Sequence, residues 1–419
     1  MIDLPPSSGG SPALPASSIP EPVRAVLLGM AGDPGRPVGG YVFDPGVAAA
    51  RAERLRAALP DWARVCYSVK ANSYPPVLDA LASRVDGFEV ASAAEVDLAR
   101  AAGPGHLLVA SGPGKSLPTL RRILEREVDL INVDSPLELA RVDRAARELG
   151  VEAAVAVRVN PRRVDLVGSL AMGGAATQFG VSEQDVPAVL AAAARYPSVR
   201  VTGFHVHAVC NNLDAEAQAD YVRWCLEWST RTAARHGVPL AVVDVGGGLG
   251  VPFEGERPFD LARFGELLAR IRPPAGCMVI FEPGRYLVAE AGWYAAEVLD
   301  VKHTYGTRFV VLRGGINHFQ LPTSWDIRHR FAVLPVDAWP YDCPRPAATG
   351  VPVTVVGELC TPEDTLARDV TVDRARAGDL VVFPMAGSYG YEFAMPLFLG
   401  HPPAERWVVG QPDRGGAPS

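Results

Sequence analysis

From residue 41 onward, short apolar runs alternate with amphipathic stretches rich in Ala, Leu and Arg. The runs are 65–69 "VCYSV", 87–91 "GFEVA", 107–111 "LLVAS", 129–133 "DLINV", 154–159 "AVAVRV", 201–206 "VTGFHV", 241–245 "AVVDV" and 278–282 "MVIFE". Between them lie helix-like segments, among them 93–102 "AAEVDLARAA", 135–149 "SPLELARVDRAAREL" and 215–236 "AEAQADYVRWCLEWSTRTAARH". Apolarity within the runs is continuous rather than alternating, as in parallel strands buried on both faces. Eight such units in about 250 residues predict a (β/α)8 barrel, with an open doubly wound sheet as the competitor. The polar residues decide between them. Lys70, Glu89, Ser111, Asp134, Asn160, His205, His207, Gly246–Gly248 and Glu282 fall at or just past the C-terminal ends of the runs. A barrel gathers those ends at one mouth, whereas an open sheet spreads them along a line. The barrel is favoured.

After about residue 290 the rhythm changes. Runs 293–301 "WYAAEVLDV", 308–312 "RFVVL", 351–356 "VPVTVV" and 378–383 "GDLVVF" follow one another without helices, across Pro- and Gly-rich connections. That pattern predicts an antiparallel β domain. The expected division is a barrel at 41–289, a β domain built from 290–408 with 23–40, a disordered Pro/Ser-rich lead-in at 1–22, and a disordered tail at 409–419. The 419 residues are 48% hydrophobic and 21% charged, ordinary for a soluble enzyme. A net charge of −7 without a Lys/Arg cluster gives no reason to expect nucleic acid. No apolar run approaches the roughly 20 residues of a membrane span, and the N-terminus lacks the pattern of a secretory signal. Six scattered cysteines show no CxxC pair or zinc spacing, so the chain reads as a reduced, cytoplasmic protein.

Lys70, in "CYSVKAN", is either a surface lysine after a strand or an amine that burial makes nucleophilic toward a carbonyl cofactor. Pyridoxal phosphate needs such a lysine, a phosphate cup and a partner for its pyridine nitrogen. "VDVGGGLGVPF" (243–253) can supply the cup, because three glycines let backbone N–H groups approach a phosphate. It breaks the dinucleotide fingerprint at Val251, and "ASGPGKS" (110–116) lacks the first glycine of a P-loop, with Val109 in that place. Glu282, in "FEPGRY", can keep a pyridine nitrogen protonated, while Arg285 can pair with phosphate; a plain Glu–Arg salt bridge is the alternative. In "GFHVHAVCNN" His205 and His207 stand at i, i+2 on one strand face. Metal ligation is a rival for this stretch alone, but no neighbouring Asp/Glu/His cluster completes such a site, and no metal is expected. Cys360, in "GELCTPEDTLARD", is either a small buried residue or a thiol poised to protonate a carbon.

Together, "YSVKAN", "GFEVAS", "RVNP", "TQFG", "FHVH", "DVGGGLG", "EPGRY", "CTPEDTLARD" and "GDLVVFPMAGSYG" resemble, in order, the fold-type III pyridoxal-phosphate decarboxylases. That family includes diaminopimelate and ornithine decarboxylases and has the alanine-racemase-like barrel. The resemblance spans about residues 40–405. "HVHAVCNNLDAEA", "LRGGINHFQLPTSW" and "GELCTPEDTLARD" are similar to the branch serving carboxylate-siderophore assembly, whose substrate is a citryl-diaminopropionate conjugate. The resemblance implies that Lys70 holds the cofactor covalently, Glu282 faces the ring nitrogen and His205 stacks on the ring. Gly246, Gly247, Gly248, Gly284, Arg285 and Tyr389 would bind phosphate, with Glu89 and Arg158 also against the cofactor. Cys360 would return a proton to the substrate, and Asp364 matches an acidic residue of that loop. It further implies an obligate homodimer with composite sites, the Cys360 loop reaching into the partner's barrel.

Two departures stand out. The family's His-x-Gly-Ser is here His205-Val206-His207-Ala208, which removes a hydroxyl and adds an imidazole. "GGINHFQLP" lacks the arginine–proline pair that diaminopimelate enzymes carry there, which points away from diaminopimelate. Asn317, His318 and Gln320 could read a carboxylate-rich substrate alongside His207, or form a solvent-exposed turn. Decarboxylation of a basic amino acid is the alternative activity. An amino-acid racemase, and a cofactor-binding regulator of single-barrel form, are the remaining rivals.

Overall fold

Each of the eight apolar runs becomes a parallel strand. The computed structural model describes residues 11–410 apart from 163–165, 167, 169 and 326. The strands are β1 (Ala63–Ser68), β2 (Gly87–Val90), β3 (Leu107–Ala110), β4 (Leu130–Val133), β5 (Ala153–Asn160), β6 (Val199–His205), β7 (Val242–Asp244) and β8 (Met278–Phe281). Neighbours pair in sequence order, and β8 returns to β1 through Val279↔Ala63, Ile280↔Arg64 and Phe281↔Val65, closing the ring. Cys66, Val109, Leu130, Ala156, Val242 and Ile280, drawn from different strands, form one buried cluster inside it. Local chemistry sets the helix limits. Ser92 and Ser135 cap their helices by accepting from Glu95 N and Glu138 N, and the reciprocal Glu side chains accept from Ala91 N and Asp134 N. Gly150 and Gly237 end the helices Pro136–Leu149 and Ala215–His236 at φ 69° and 68°, values that cost a Cβ-free residue little.

The chain divides into two units. One is Gly46–Pro252 with Arg257–Val288, which contains the barrel. The other takes in the residues up to Pro45, Phe253–Glu256 and those from Ala289 on. Strand Gly39–Phe43, expected at the start of the barrel, belongs to this second unit, where it pairs antiparallel with Gly292–Thr304. The β domain is mixed rather than purely antiparallel. Gly39–Phe43 runs parallel to Glu405–Val408, and Thr307–Leu312 runs parallel to Ala347–Val356. The second pairing is possible because the long connection between its strands, carrying the helix Leu321–Ser324 and the strand Ala332–Leu334, supplies the crossover that parallel neighbours need. Strand Thr365–Arg376 has no counterpart among the apolar runs, because the exposed charged pairs Arg368-Asp369 and Asp373-Arg374 interrupt its apolar residues.

The lead-in expected to be disordered to residue 22 is ordered from residue 11. Pro12 and Leu14 form bridges to Thr371 and Ala332, with Ala13 N donating to Thr371 O at 2.9 Å and Leu14 N to Phe331 O at 2.7 Å. Helix Glu21–Met30 then packs Val23 and Leu27 with Ile19 against Val42, Trp293, Ala295, Leu334 and Val382. Composition misled here: three apolar residues at the right spacing are enough to bind a Pro-rich segment to a sheet, and the prolines fall where no N–H is needed. Residues 1–10 and the tail from 411 lie outside the described residues. Among the described residues no helix is long and apolar enough to cross a membrane.

Candidate active site

The first and last strands of the barrel are pinned together at their C-terminal ends. Ser68 N donates to Pro283 O and Ser68 Oγ to Glu282 O, both at 3.2 Å. Lys70 follows in the single turn Val69–Ala71 and forms an ion pair with Glu89 at the end of the neighbouring β2. This corrects the expectation of a buried amine. The Lys70 side chain is 43% exposed, while that of its partner Glu89 is 1% exposed.

His205 ends β6 and Glu282 follows β8, with His205 Nε2 3.4 Å from Glu282 Oε2. Asp244, the last residue of β7, completes a buried trio in which a nitrogen or oxygen from each residue lies within 4.8 Å of the others. The His/Asp/Glu cluster that sequence spacing did not disclose is thus present, because adjacent strand ends rather than adjacent residues build it. Asp244 Oδ1 accepts from Gly246 N at 2.9 Å and Oδ2 from Asn132 Nδ2 at 3.1 Å, and Asn132 Nδ2 also donates to Ser111 Oγ at 3.0 Å. Burial, and then the adjacent Glu282 charge, push the Asp244 carboxyl well above the usual range. For Glu282 burial acts in the same direction, yet His205, Lys70 and the hydrogen bond with Asp244 outweigh it and hold the carboxyl down.

The glycine loop lies beside them. Gly246 and Gly248 have φ of 68° and 104°, and a Cβ on Gly247 would come within 2.5 Å of Glu282 O. Gly247 N donates to His207 Nδ1 at 3.0 Å, so a neutral His207 carries its proton on Nε2, which lies 3.5 Å from Cys210 Sγ. Part of the His207 surface remains accessible, but desolvation, and then the Arg158 charge, push it down to about 3. Gln218 of the helix Ala215–His236 donates to Gly247 O at 3.3 Å and accepts from Asn212 Nδ2 at 2.9 Å, bracing the loop from outside. Arg158 on β5 stacks over Phe179 at 4.6 Å, with Asp134 at 3.9 Å. Lys115, buried nearby, donates to Gly112 O and Asn132 O and pairs with Glu138 at 2.7 Å. Gly284 and Arg285, both buried, start the turn Arg285–Val288 directly after Glu282.

The remaining expected residues belong to the second unit. Asn317 and His318 are buried, not part of an exposed turn. His318 Nε2 faces Pro402 O at 2.9 Å and Nδ1 faces the Tyr294 hydroxyl at 3.5 Å, and burial pushes its pKa down to about 4. Both Asn317 side-chain polar atoms lack a hydrogen-bond partner among the described residues. Gln320 precedes the helix Leu321–Ser324 and is half-buried. Asp364 is buried, and its Oδ1 accepts from Ile316 N and its Oδ2 from Leu359 N, each at 2.8 Å. It clasps the turn at 314–316 to the loop carrying Cys360, which is exposed. Tyr389 has φ 56° and packs against Trp325 at 5.3 Å between ring centroids.

The barrel residues make a demand that they do not satisfy among themselves. Glu89 Oε1, Glu282 Oε1 and both ring nitrogens of His205 are buried without a hydrogen-bond partner among the described residues. Native interiors rarely leave so many polar atoms orphaned. A flat ring with a basic nitrogen, an aldehyde and a phosphate fits these residues, the lysine and the glycine cup. The comparisons agree. A family model described as "Pyridoxal-dependent decarboxylase, pyridoxal binding domain" matches residues 47–289. The chain is 34% identical to the 2-[(L-alanin-3-ylcarbamoyl)methyl]-2-hydroxybutanedioate decarboxylase of Staphylococcus aureus, over 88% of this chain and 93% of that one. It is 31% identical to the diaminopimelate decarboxylase of Zymomonas mobilis, over 84% and 83%. Among solved structures, the diaminopimelate decarboxylase of Helicobacter pylori complexed with L-lysine superposes with TM-score 0.78 at 26% identity, covering 89% and 92%. The chain belongs to the pyridoxal-dependent decarboxylases. It is a carboxy-lyase whose cofactor is pyridoxal phosphate.

One prediction concerns His207. Its pKa of about 3 in the fold lies below the ordinary 6.5, so under pH 6.5 the unfolded chain takes up a proton that the folded chain refuses. Stability from this group is complete above pH 6.5 and declines as pH falls towards 3. His207→Asn keeps an acceptor for Gly247 N and removes the titration. Urea midpoints at pH 7 and pH 4.5 should therefore differ less for the variant than for the native chain; an equal or larger drop contradicts the assignment.

Proposed function

We propose that this enzyme decarboxylates the L-amino-acid centre of a carboxylate-rich conjugate of the citryl-diaminopropionate type, in the assembly of a carboxylate siderophore. The observation that carries this is the 34% identity to the Staphylococcus aureus enzyme along nearly the whole of both chains. That enzyme's name describes an alanine centre joined through its third carbon and an amide to a hydroxylated dicarboxylate. His207 and Ala208, in place of Gly and Ser, and the lack of an arginine–proline pair after Asn317 support a substrate other than diaminopimelate. The likeness to the Zymomonas mobilis enzyme keeps a basic amino acid as the second reading.

When bound, pyridoxal phosphate supplies the electron sink that makes loss of carbon dioxide from an amino acid feasible. Lys70 would hold its aldehyde, with Glu89 controlling the proton on Nζ until the substrate amine replaces it. Glu282 would face the ring nitrogen as a carboxylate, and His205 would stack on the ring. Gly246–Gly248, Gly284, Arg285 and Tyr389 would hold the phosphate, with Arg158 beside the cofactor. Cys360 Sγ would deliver a proton to the carbon that lost carbon dioxide, and Asn317, Gln320 and His207 would face the rest of the substrate.

Cys360 is exposed on the single chain, which suits a thiol that completes a partner's site. The same reading makes the enzyme a homodimer with composite sites. It is supported by the exposed apolar stretch Phe393, Met395, Leu397, Phe398 and Leu399, in which Leu397 is 90% exposed. Six cysteines scattered without a paired spacing suit a cytoplasmic enzyme.

Carbon dioxide release from citryl-diaminopropionate, diaminopimelate, ornithine, lysine and arginine tests the substrate: the first should turn over best, and preference for a free basic amino acid rejects the proposal. Loss of optical activity without carbon dioxide would instead mark a racemase. Lys70→Ala should abolish both the visible absorbance of the bound cofactor and turnover; retained turnover without added amine removes its role. For Cys360→Ala, the rate should drop or the product should divert, and an unchanged rate and product ratio excludes the thiol as proton donor. Leu397→Asp should shift the protein towards monomer in analytical ultracentrifugation and lower activity in step; an unaltered dimer shows that the stretch lies elsewhere.

A further inference from the structure

Asp244 is the buried acid that the proposed mechanism leaves without a task. It ends β7, is wholly buried, and sits with Glu282 and His205 at the floor of the mouth. Two buried carboxyls at this distance do not both ionise, because neither is solvated and their charges repel. One proton is therefore shared, and the surroundings decide its owner. The charge of Lys70 and the imidazole of His205 act on Glu282 and favour its ionised form. Facing Asp244 are Glu282 itself, which works against its ionisation together with burial, and the amides Gly246 N and Asn132 Nδ2, whose hydrogen bonds favour the charged form but are outweighed; Cys66 of β1 and Tyr221 and Cys225 of the helix Ala215–His236 also lie within its reach.

The backbone adds a second link. Gly246 donates its N–H to Asp244 Oδ1, while its carbonyl accepts from Glu282 N at 2.8 Å. One residue of the glycine loop is thus gripped from both sides by the two acids, and Asn132 of β4, bonded also to Ser111 at the end of the adjacent β3, fixes the other oxygen of Asp244. We propose that Asp244 is a positioning residue which keeps a proton, donates it in a hydrogen bond to Glu282, and so holds the ring-nitrogen carboxylate ionised and in register with the phosphate loop. The inference rests on Glu282 facing the ring nitrogen.

The test compares dissociation constants of pyridoxal phosphate and 1-deazapyridoxal phosphate, which has carbon in place of the ring nitrogen, on the full-length chain stripped of cofactor. If Glu282 meets the ring nitrogen, the native protein prefers pyridoxal phosphate; equal affinity rejects that earlier assignment, and the present inference with it. With the preference established, Asp244→Ala should reduce it by roughly tenfold or more, the range expected on losing a hydrogen bond to a charged group. Asp244→Asn mimics the protonated acid, since Asn132, whose Oδ1 lacks a partner, can turn its amide to accept from the new donor. It should keep the preference within about threefold of native. An undiminished preference in Asp244→Ala shows that the residue serves the loop alone, and a loss in Asp244→Asn as large as in Asp244→Ala shows that its charge matters; either overturns the proposal. Should Asp244→Ala not fold, Asp244→Ser takes its place in the comparison.

Discussion

A single negative charge held almost out of water, at Glu282, is the constraint around which the barrel mouth is organised. Removing a carboxylate from water costs several kcal/mol unless neighbours compensate. The compensation here is distributed: an imidazole at the end of β6, the ammonium of Lys70 after β1, and the carboxyl of Asp244 at the end of β7. No single helix or loop could bring these groups together. A closed ring of parallel strands does so automatically, since every strand delivers its last residue to the same rim. The polar groups left without partners among the described residues are those that a basic, planar ring would satisfy, which links them to the chemistry of the family.

Asp364 plays an analogous part in the β domain, by the opposite means. Its carboxyl is raised by burial, against the two backbone amides that bind it. Those amides belong to the turn at 314–316 and the loop at 357–359, and a Cβ on Gly315 would strike Oδ1 at 2.1 Å. The acid works as a clasp, and the exposed thiol of Cys360 sits on the loop that it shapes.

Much of this was legible in the chain itself. Uninterrupted apolar runs announced the strands, and the amphipathic stretches 93–102 and 135–149 fell within a residue of two helices, because these signals are local. Lys70, His205, Glu282 and the glycines were legible because a strand end followed by a polar residue is a positional signal in a parallel barrel. Asp244 was missed although it lies in the quoted "VDVGGG": its importance comes from Glu282 and Asn132, on other strands. The bonds from Asp364 to two backbone amides were not legible, because no side-chain pattern reveals them. The same blindness affected residues 11–20, whose order depends on a sheet edge made by residues some 320 positions later. Lys70 was expected to be buried because its strand is, but its side chain leaves the core to pair with Glu89.

The bonds from Ser68 to residues 282 and 283 join parts of the chain 214 positions apart. During synthesis the lysine emerges from the ribosome long before the acid that is to face the far side of the same ring. A nascent chain therefore has no finished barrel mouth, and has little means of retaining its vitamin partner until the eighth strand has cleared the exit tunnel. Acquisition of the cofactor thus becomes a late, ring-closing event in the life of each molecule, and a prematurely terminated chain would compete poorly for it.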